Sequence, residues 1–284
     1  MLQRALLLFL LLPGAALAVD GVREINQACA TQGCFPGDSP GFPVQINEPG
    51  SYRLTSDLDV RTSSAPENRS GIDIGAVAGS PALDVTIDLN GFTILGPVTC
   101  SGTPVTSCSP GGGSGDGIRT NSNPESHTRI KDGFIRGMGS SGVDCSRNCV
   151  VSNVVAEQNG ASGFSNGNGE GVFRRCVARR NGTNGFFVKG LVDGSVAVAN
   201  GGYGIFTNPD SRIMNSTALL NGGNGIRCFT CSLLDSMAND NTGVGVEFGG
   251  RPVFGRNLID GNSGGEISGS AFAVDDNRCG FGSC

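Results

Sequence analysis

Hydrophobic and polar positions recur in step along the second half of the chain. Asn159, Asn181, Asn200, Asn221, Asn241 and Asn262 stand 22, 19, 21, 20 and 21 residues apart. Three residues before them run Ala156, Ala178, Ala197, Ala218, Ala238 and Ile259. Eight before run Val151, Phe173, Val192, Ile213, Leu233 and Phe254. Four after come Gly163, Gly185, Gly204, Gly225 and Gly245, a column that Glu266 breaks. The next column is Phe164, Phe186, Ile205, Ile226, Val246 and Ile267. Such a period, without helical 3.6 spacing, predicts coils of short strands. The leucine ladder of leucine-rich repeats is missing, and a hexapeptide helix would need a period of about 18.

The fold expected is all-β: a single-stranded right-handed parallel β-helix, with handedness from the crossover rule for parallel strands. Coils stack at about 4.8 Å. The asparagines form amide ladders at the turns, and each Asn-Gly supplies a left-handed turn conformation. Ile130, Asp132-Gly133, Gly142 and Val143 extend the register upstream. Val85 to Ile94 begins a still earlier coil, but Ile87 to Ile130 spans 43 residues. That coil therefore carries an inserted loop at residues 97–115. Eight to ten coils are expected over residues 43–273. An N-terminal cap occupies residues 19–42, with a short helix or strap at Val22 to Ala30, and a C-terminal tail occupies residues 274–284.

Residues 1–18 read as a secretory leader: Arg4, an apolar run from Ala5 to Leu12, and Ala16-Leu17-Ala18 before the cut. The run is too short to span a bilayer. Export makes ten of the 11 cysteines a set of local disulfides that pin protruding loops: Cys29/Cys34, Cys100/Cys108, Cys145/Cys149, Cys228/Cys231 and Cys279/Cys284. Cys176 falls in the column five before the asparagines, with Val154, Ser195, Ser216 and Ser236. That column reads as inward and small, so Cys176 is expected to be an unpaired buried thiol.

Gly50-Ser51-Tyr52-Arg53-Leu54-Thr55, the Val85 to Gly96 stretch and the N-G-x-x-G-I repeats resemble secreted bacterial right-handed parallel β-helix repeat proteins. The wider fold group holds pectate lyases, polygalacturonases, alginate lyases and epimerases, and periplasmic NosD-type proteins. The resemblance implies the fold and a secreted or periplasmic home, and no particular reaction.

Composition narrows the chemistry. Glycine supplies 47 of 284 residues, about one in six against an average near 7 per cent, and only 16 per cent are charged. Twenty Lys plus Arg against 25 Asp plus Glu give no global support for a nucleic-acid partner. One histidine rules out a multi-histidine metal site. Arg129-Ile130-Lys131 spells a polygalacturonase tripeptide close to His127, but the companion motifs are absent and Ile130 belongs to a core column. Asp116, Arg119, His127, Asp132, Arg136 and Asp144 lie on adjacent coils. For a lyase, Arg119 or Arg136 is the base, with Asp116, Asp132 and Asp144 as calcium ligands. The plainer reading is turn aspartates and surface ion pairs. Arg174, Arg175, Arg179 and Arg180 load one coil with positive charge, and Glu157 sits beside Arg179.

Strand alternation sends one column outward: Arg119, Asp144, Ser165, Phe187, Phe206, Arg227, Glu247 and Ser268. Phe187 and Phe206, bordered by Arg227 and Glu247, suit the apolar face of a sugar ring. A neighbouring loop, Gly167 to Gly171 or the C-terminal tail, covering the pair is the competing expectation. Two functions follow. The favoured one is a non-catalytic exported monomeric solenoid presenting a long face to a polysaccharide or cell-surface glycan, with no cofactor. The alternative is a lyase, hydrolase or epimerase acting on anionic glycans, the only case that calls for calcium.

Overall fold

The computed structural model describes residues 21–75, 82–120, 123, 125–280 and 282–284. The leader expected over residues 1–18 lies outside them, as do residues 76–81 within the span expected to form coils. The chain is a parallel β-solenoid of three strand faces.

Each coil contributes one strand per face, and the columns read from the sequence become the centres of those faces. On the first face, Phe164, Phe186, Ile205, Ile226, Val246 and Ile267 pair in register. On the second, Val151, Phe173, Val192, Ile213, Leu233 and Phe254 do the same. The third carries Ala156, Ala178, Ala197, Ala218, Ala238 and Ile259. Nearly all are fully buried. Aromatic and branched residues from two faces meet over alanine on the third, as in Phe164 stacked on Phe186 at 4.9 Å with Phe173 edge-on at 5.9 Å.

The asparagines form a continuous buried ladder. Each side-chain oxygen accepts the amide N–H and the side-chain N–H of the asparagine one coil earlier, at 2.9–3.1 Å. From Asn181 onward each side-chain nitrogen also donates to an alanine carbonyl of the third face. The ladder begins where Met138 N donates to Asn159 and ends on Glu266, which accepts from Asn262 at 2.7 Å. Glu266 breaks the glycine column because it caps the ladder. A second ladder runs through the corner between the second and third faces: Cys176, Ser195, Ser216, Ser236, Asn257 and Asn277.

One expectation needs correction. The left-handed residue is the one before each Asn, not the glycine after it: Gln158, Arg180, Ala199, Leu220 and Asp240 all have φ between 52° and 56°. The glycine answers to stacking instead. A Cβ on Gly182 would lie 2.2 Å from the Gly160 carbonyl oxygen of the coil before.

The ends also differ from the expected boundaries. Val22–Ile25 pairs with Gly50–Leu54 as a rung of the second face, ahead of a capping helix, Gln27–Gln32. At the other end Arg278–Cys279 is a rung of the third face, beyond residue 273. The insertion at 97–115 is a hairpin, Thr99–Gly102 against Val105–Ser109. It lies along the corner between the third and first faces, from Gly137 to Ala199. No helix among the described residues is long and apolar enough to cross a membrane.

The five local cysteine pairs are disulfides: Cys29–Cys34, Cys100–Cys108, Cys145–Cys149, Cys228–Cys231 and Cys279–Cys284. Such bonds belong to an oxidising compartment. Their expected place, on protruding loops, is corrected by the structure. Cys145–Cys149 and Cys228–Cys231 sit buried in tight corners between the first and second faces. Cys34 is half-buried and packs against the main core, so its bond to Cys29 ties the segment after the capping helix onto the end of the solenoid. Cys108 faces Cys100 across the hairpin and packs against the small cluster of Val98, Cys100 and Val105. Its sulfur also lies close to the Gly182 corner, so that bond holds the hairpin flat against the coils. The physical reason is common to all four: a disulfide is an apolar group and gains by burial against neighbouring coils.

Two outcomes follow from the ladders. Asn200→Ala orphans several buried donors and acceptors and should destabilise the fold by about 3 kcal/mol, whereas Asn262→Ala, at the ladder's end, should cost less. Denaturant unfolding of both variants measures the difference. Cys176 is free and buried, its Sγ faces the Val151 and Arg174 carbonyls, and burial pushes its thiol up to about 12. It should resist alkylation at mildly alkaline pH until denaturant is added, as mass mapping would record.

Candidate functional site

Alternation along the first-face strands turns the residue after each core column outward. Register makes these residues one continuous row: Gln45, Asp73, Arg119, Asp144, Ser165, Phe187, Phe206, Arg227, Glu247 and Ser268. A second row lies three residues earlier, through Ser70, Asp116, Ser141, Ser162, Asn184, Tyr203 and Asn224; from Asp116 onward their carbonyls link coil to coil.

The middle of this face is aromatic. The Phe187 and Phe206 rings lie 5.0 Å apart with a 52° tilt, and Tyr203 meets Phe206 edge-on at 5.3 Å. All three are half-buried. The Arg227 guanidinium sits 4.5 Å from the centre of the Phe206 ring and 3.5 Å from Glu247. Asn224 donates to Glu247 at 2.8 Å and accepts from Val244 N, so Glu247 is held from two sides. Gly167 to Gly171 is tied to the corner beside the rings, through Asn208 and the Asn166–Lys189 pair. Tyr203 was missed from the sequence; its signal was its place three residues after Asn200, in the second row.

Two coils before Phe187 the row becomes acidic. Arg119 donates to the buried Asp73 at 2.7 Å, and the other carboxylate oxygen of Asp73 has no partner among the described residues. Asp116 is 4 % exposed and accepts from Ser141 N at 2.9 Å. Burial pushes its carboxyl up to about 6 against that bond, and the charge of Asp144 adds to the rise. Burial also raises Asp144, opposed by Ser165 and Arg119. Burial works against the Arg119 charge, but its bond to Asp73 and the nearby charges of Asp73, Asp116 and Asp144 hold it above the ordinary value.

The constellation expected from the sequence therefore divides. Asp116, Arg119 and Asp144 come together and gain Asp73, which sequence spacing concealed. Asp132 sits at the corner between the second and third faces, bonded to Asn153 and Lys131, which hold its carboxyl below the ordinary value. Arg136 lies on the third face with Gln158 and Glu157. Neighbouring coils do not bring residues together when they occupy different faces. His127 is exposed on the second face, 2.9 Å from Asp84, and Lys131 of the tripeptide pairs with Asp88. Among the described residues no group of three or more His, Cys, Asp or Glu is arranged to hold a metal.

No family model and no curated protein matches the chain. Among solved structures, it is similar to the A-module of a mannuronan C-5 epimerase from Azotobacter vinelandii, at 18% identity and TM-score 0.49, over 81% of this chain and 68% of that one. It is also similar to a periplasmic alginate epimerase, at 11% identity and TM-score 0.45, over 90% of this chain and 83% of that one. At such distances the site has to be argued from this chain's own residues.

The Asp116 carboxyl gives a pH test. Its folded value, about 6, exceeds the ordinary 3.8. The folded state therefore binds its proton more tightly, and stability is lost as pH rises from about 4 towards 6. Asp116→Asn keeps the acceptor for Ser141 N–H and removes that loss. The variant should be more stable than the parent at pH 7, by about 3 kcal/mol, with the two converging near pH 4. Melting curves at both pH values check this, and a variant weaker at pH 7 contradicts it.

Proposed function

We propose that the first face binds an extended polysaccharide, laid along the coils, outside the cytosol. The observation that carries this reading is the cluster of Phe187, Phe206 and Tyr203 crossed by Arg227. Stacked aromatic surface with hydrogen-bonding groups fixed at its edge suits a sugar ring, apolar on its face and hydroxylated at its rim. Arg227, Glu247 and Asn224 form that rim. A regular row of outward positions about 4.8 Å apart gives a repeating polymer many equivalent contacts. Export, in this reading, follows from the leader and the disulfides together.

A second reading, carbohydrate-active chemistry on an anionic glycan, is favoured by the acidic end of the same row. A carboxyl raised towards neutral pH beside a fixed guanidinium supplies a proton-transfer group and a cation to hold a substrate carboxylate. Here Asp116 or Asp144 exchanges the proton and Arg119 neutralises the sugar acid. The binding reading stands without this step.

Affinity electrophoresis against soluble neutral and anionic polysaccharides tests the first reading. Phe187→Ala combined with Phe206→Ala should weaken retardation by about tenfold while shifting the melting curve little. A large loss of stability with unchanged binding would show that the rings only pack. The same panel, followed by absorbance of unsaturated uronate, reducing ends and change in sugar configuration, tests the second. Turnover that disappears in Arg119→Ala would establish it.

A further inference from the structure

The outer side of the third face is chemically unlike the first. Its central row runs Val155, Val177, Val196, Thr217, Met237 and Leu258, in register and half-buried. No charge interrupts it. Its rungs are flanked by charges in a definite order. The corner towards the second face reads Arg175, Gly194, Asn215, Asp235 and Arg256, and there Asp235 is already paired with Arg256 at 2.6 Å; the corner towards the first reads Arg180, Ala199, Leu220, Asp240 and Gly261. Along the corner towards the first face a basic residue, two neutral ones and an acidic one follow one another. Arg180 and Asp240 are exposed and make no ion pair among the described residues. Leu220, in a neutral rung, is 38 % exposed.

We propose that this face pairs with the same face of a second copy, the two solenoid axes antiparallel. The two-fold axis lies in the interface along the strand direction, between the Val196 and Thr217 rungs. That operation reverses coil order and keeps left and right unchanged. Val196 then faces Thr217 of the second copy, and Val177 faces Met237 of the second copy. Arg180 comes beside Asp240 of the second copy. Each contact occurs twice, as an isologous interface requires. The self-complementary charge order is what selects a second copy over an unrelated partner.

The inserted hairpin fits the same symmetry. It runs beside the corner between the third and first faces, over Gly182 and Gly201, as far as Ala199, where Val105 N donates to the Ala199 carbonyl, and it leaves Arg180 exposed. The two-fold sets each hairpin alongside the uncovered corner of the other copy. At about 4.8 Å per rung, six to eight rungs with both corners offer roughly 500–600 Å² per copy. That is the low end for a specific interface, so the dimer is reversible, in place of the monomer expected from the sequence.

Sedimentation velocity of the folded chain from about 1 to about 100 μM tests the proposal, a span suited to a micromolar dissociation constant. A concentration-dependent monomer–dimer equilibrium is expected. Arg180→Asp and Asp240→Arg should each weaken it about tenfold or more, because each leaves two like-charge contacts. The double exchange, Arg180→Asp with Asp240→Arg, should restore it, since both charges then reverse across the interface. Circular dichroism and melting verify that the variants fold. A chain that stays monomeric throughout, single exchanges without effect, or a double exchange that fails to restore the dimer would each overturn the proposal.

Discussion

Parallel coils stacked at about 4.8 Å must satisfy their corner backbone groups from the neighbouring coil, because the corners have left the strand ladders and are buried. The asparagine side chain does this with one amide. Its oxygen takes donors from the preceding coil, while its nitrogen reaches the third-face carbonyls and the next asparagine. A hydrocarbon there would leave several groups unpaired, and a longer side chain would force the coils apart. The same spacing excludes a Cβ at Gly182 and requires a left-handed turn before each Asn. Asparagine, glycine and turn conformation are three consequences of one distance.

That origin explains what could be read from the sequence. Columns that repeat because stacking demands them are visible as columns, and Phe186, Ile205 and Ile226 share a face for the same reason that they share a register. The cysteine pairs were legible as pairs from their spacing, but not their burial, since Cys34 and Cys108 meet their neighbours only through the folded ends and the hairpin. The site was less legible because it does not repeat. Asp73 lies before the irregular insertion, so nothing in the spacing of Arg119 and Asp144 placed it beside them. Asp132 and Arg136 looked adjacent because coils are adjacent, but the corner at Asp132 carries the chain onto another face. Tyr203 shared a row with Asn184 and Asn224, and its ring contact with Phe206 became visible only once that row was known to run beside the outward one.

Inside, every coil solves the same packing problem; outside, each row is free to vary, and the faces have diverged. The first face alternates charge and aromatic surface, whereas the central row of the third is almost entirely apolar. The acidic end is harder to attribute to packing. Serine occupies the Asp116 row at Ser70, Ser141 and Ser162, and it satisfies the same stack without a carboxylate. Burying Asp116 near Asp144 disfavours its ionised form, an arrangement that stability alone gives no reason to keep.

Only Ser165 separates Asp144 from Phe187 along the outward row, so the acidic end and the aromatic cluster are about two coils apart. A linear polymer stacked on Phe187 and Phe206 and continuing along the row passes directly over Arg119 and Asp144. In the proposed function, binding and proton transfer would therefore occupy successive positions on one track. A chain running the other way passes Arg227 and Glu247, where the opposite charges are already paired. The two ends of the track differ in kind: one offers a compensated pair, the other three carboxyls around a single guanidinium. A bound polymer would meet these unlike ends in a fixed order, which gives the surface a direction even though the coils beneath it are nearly identical.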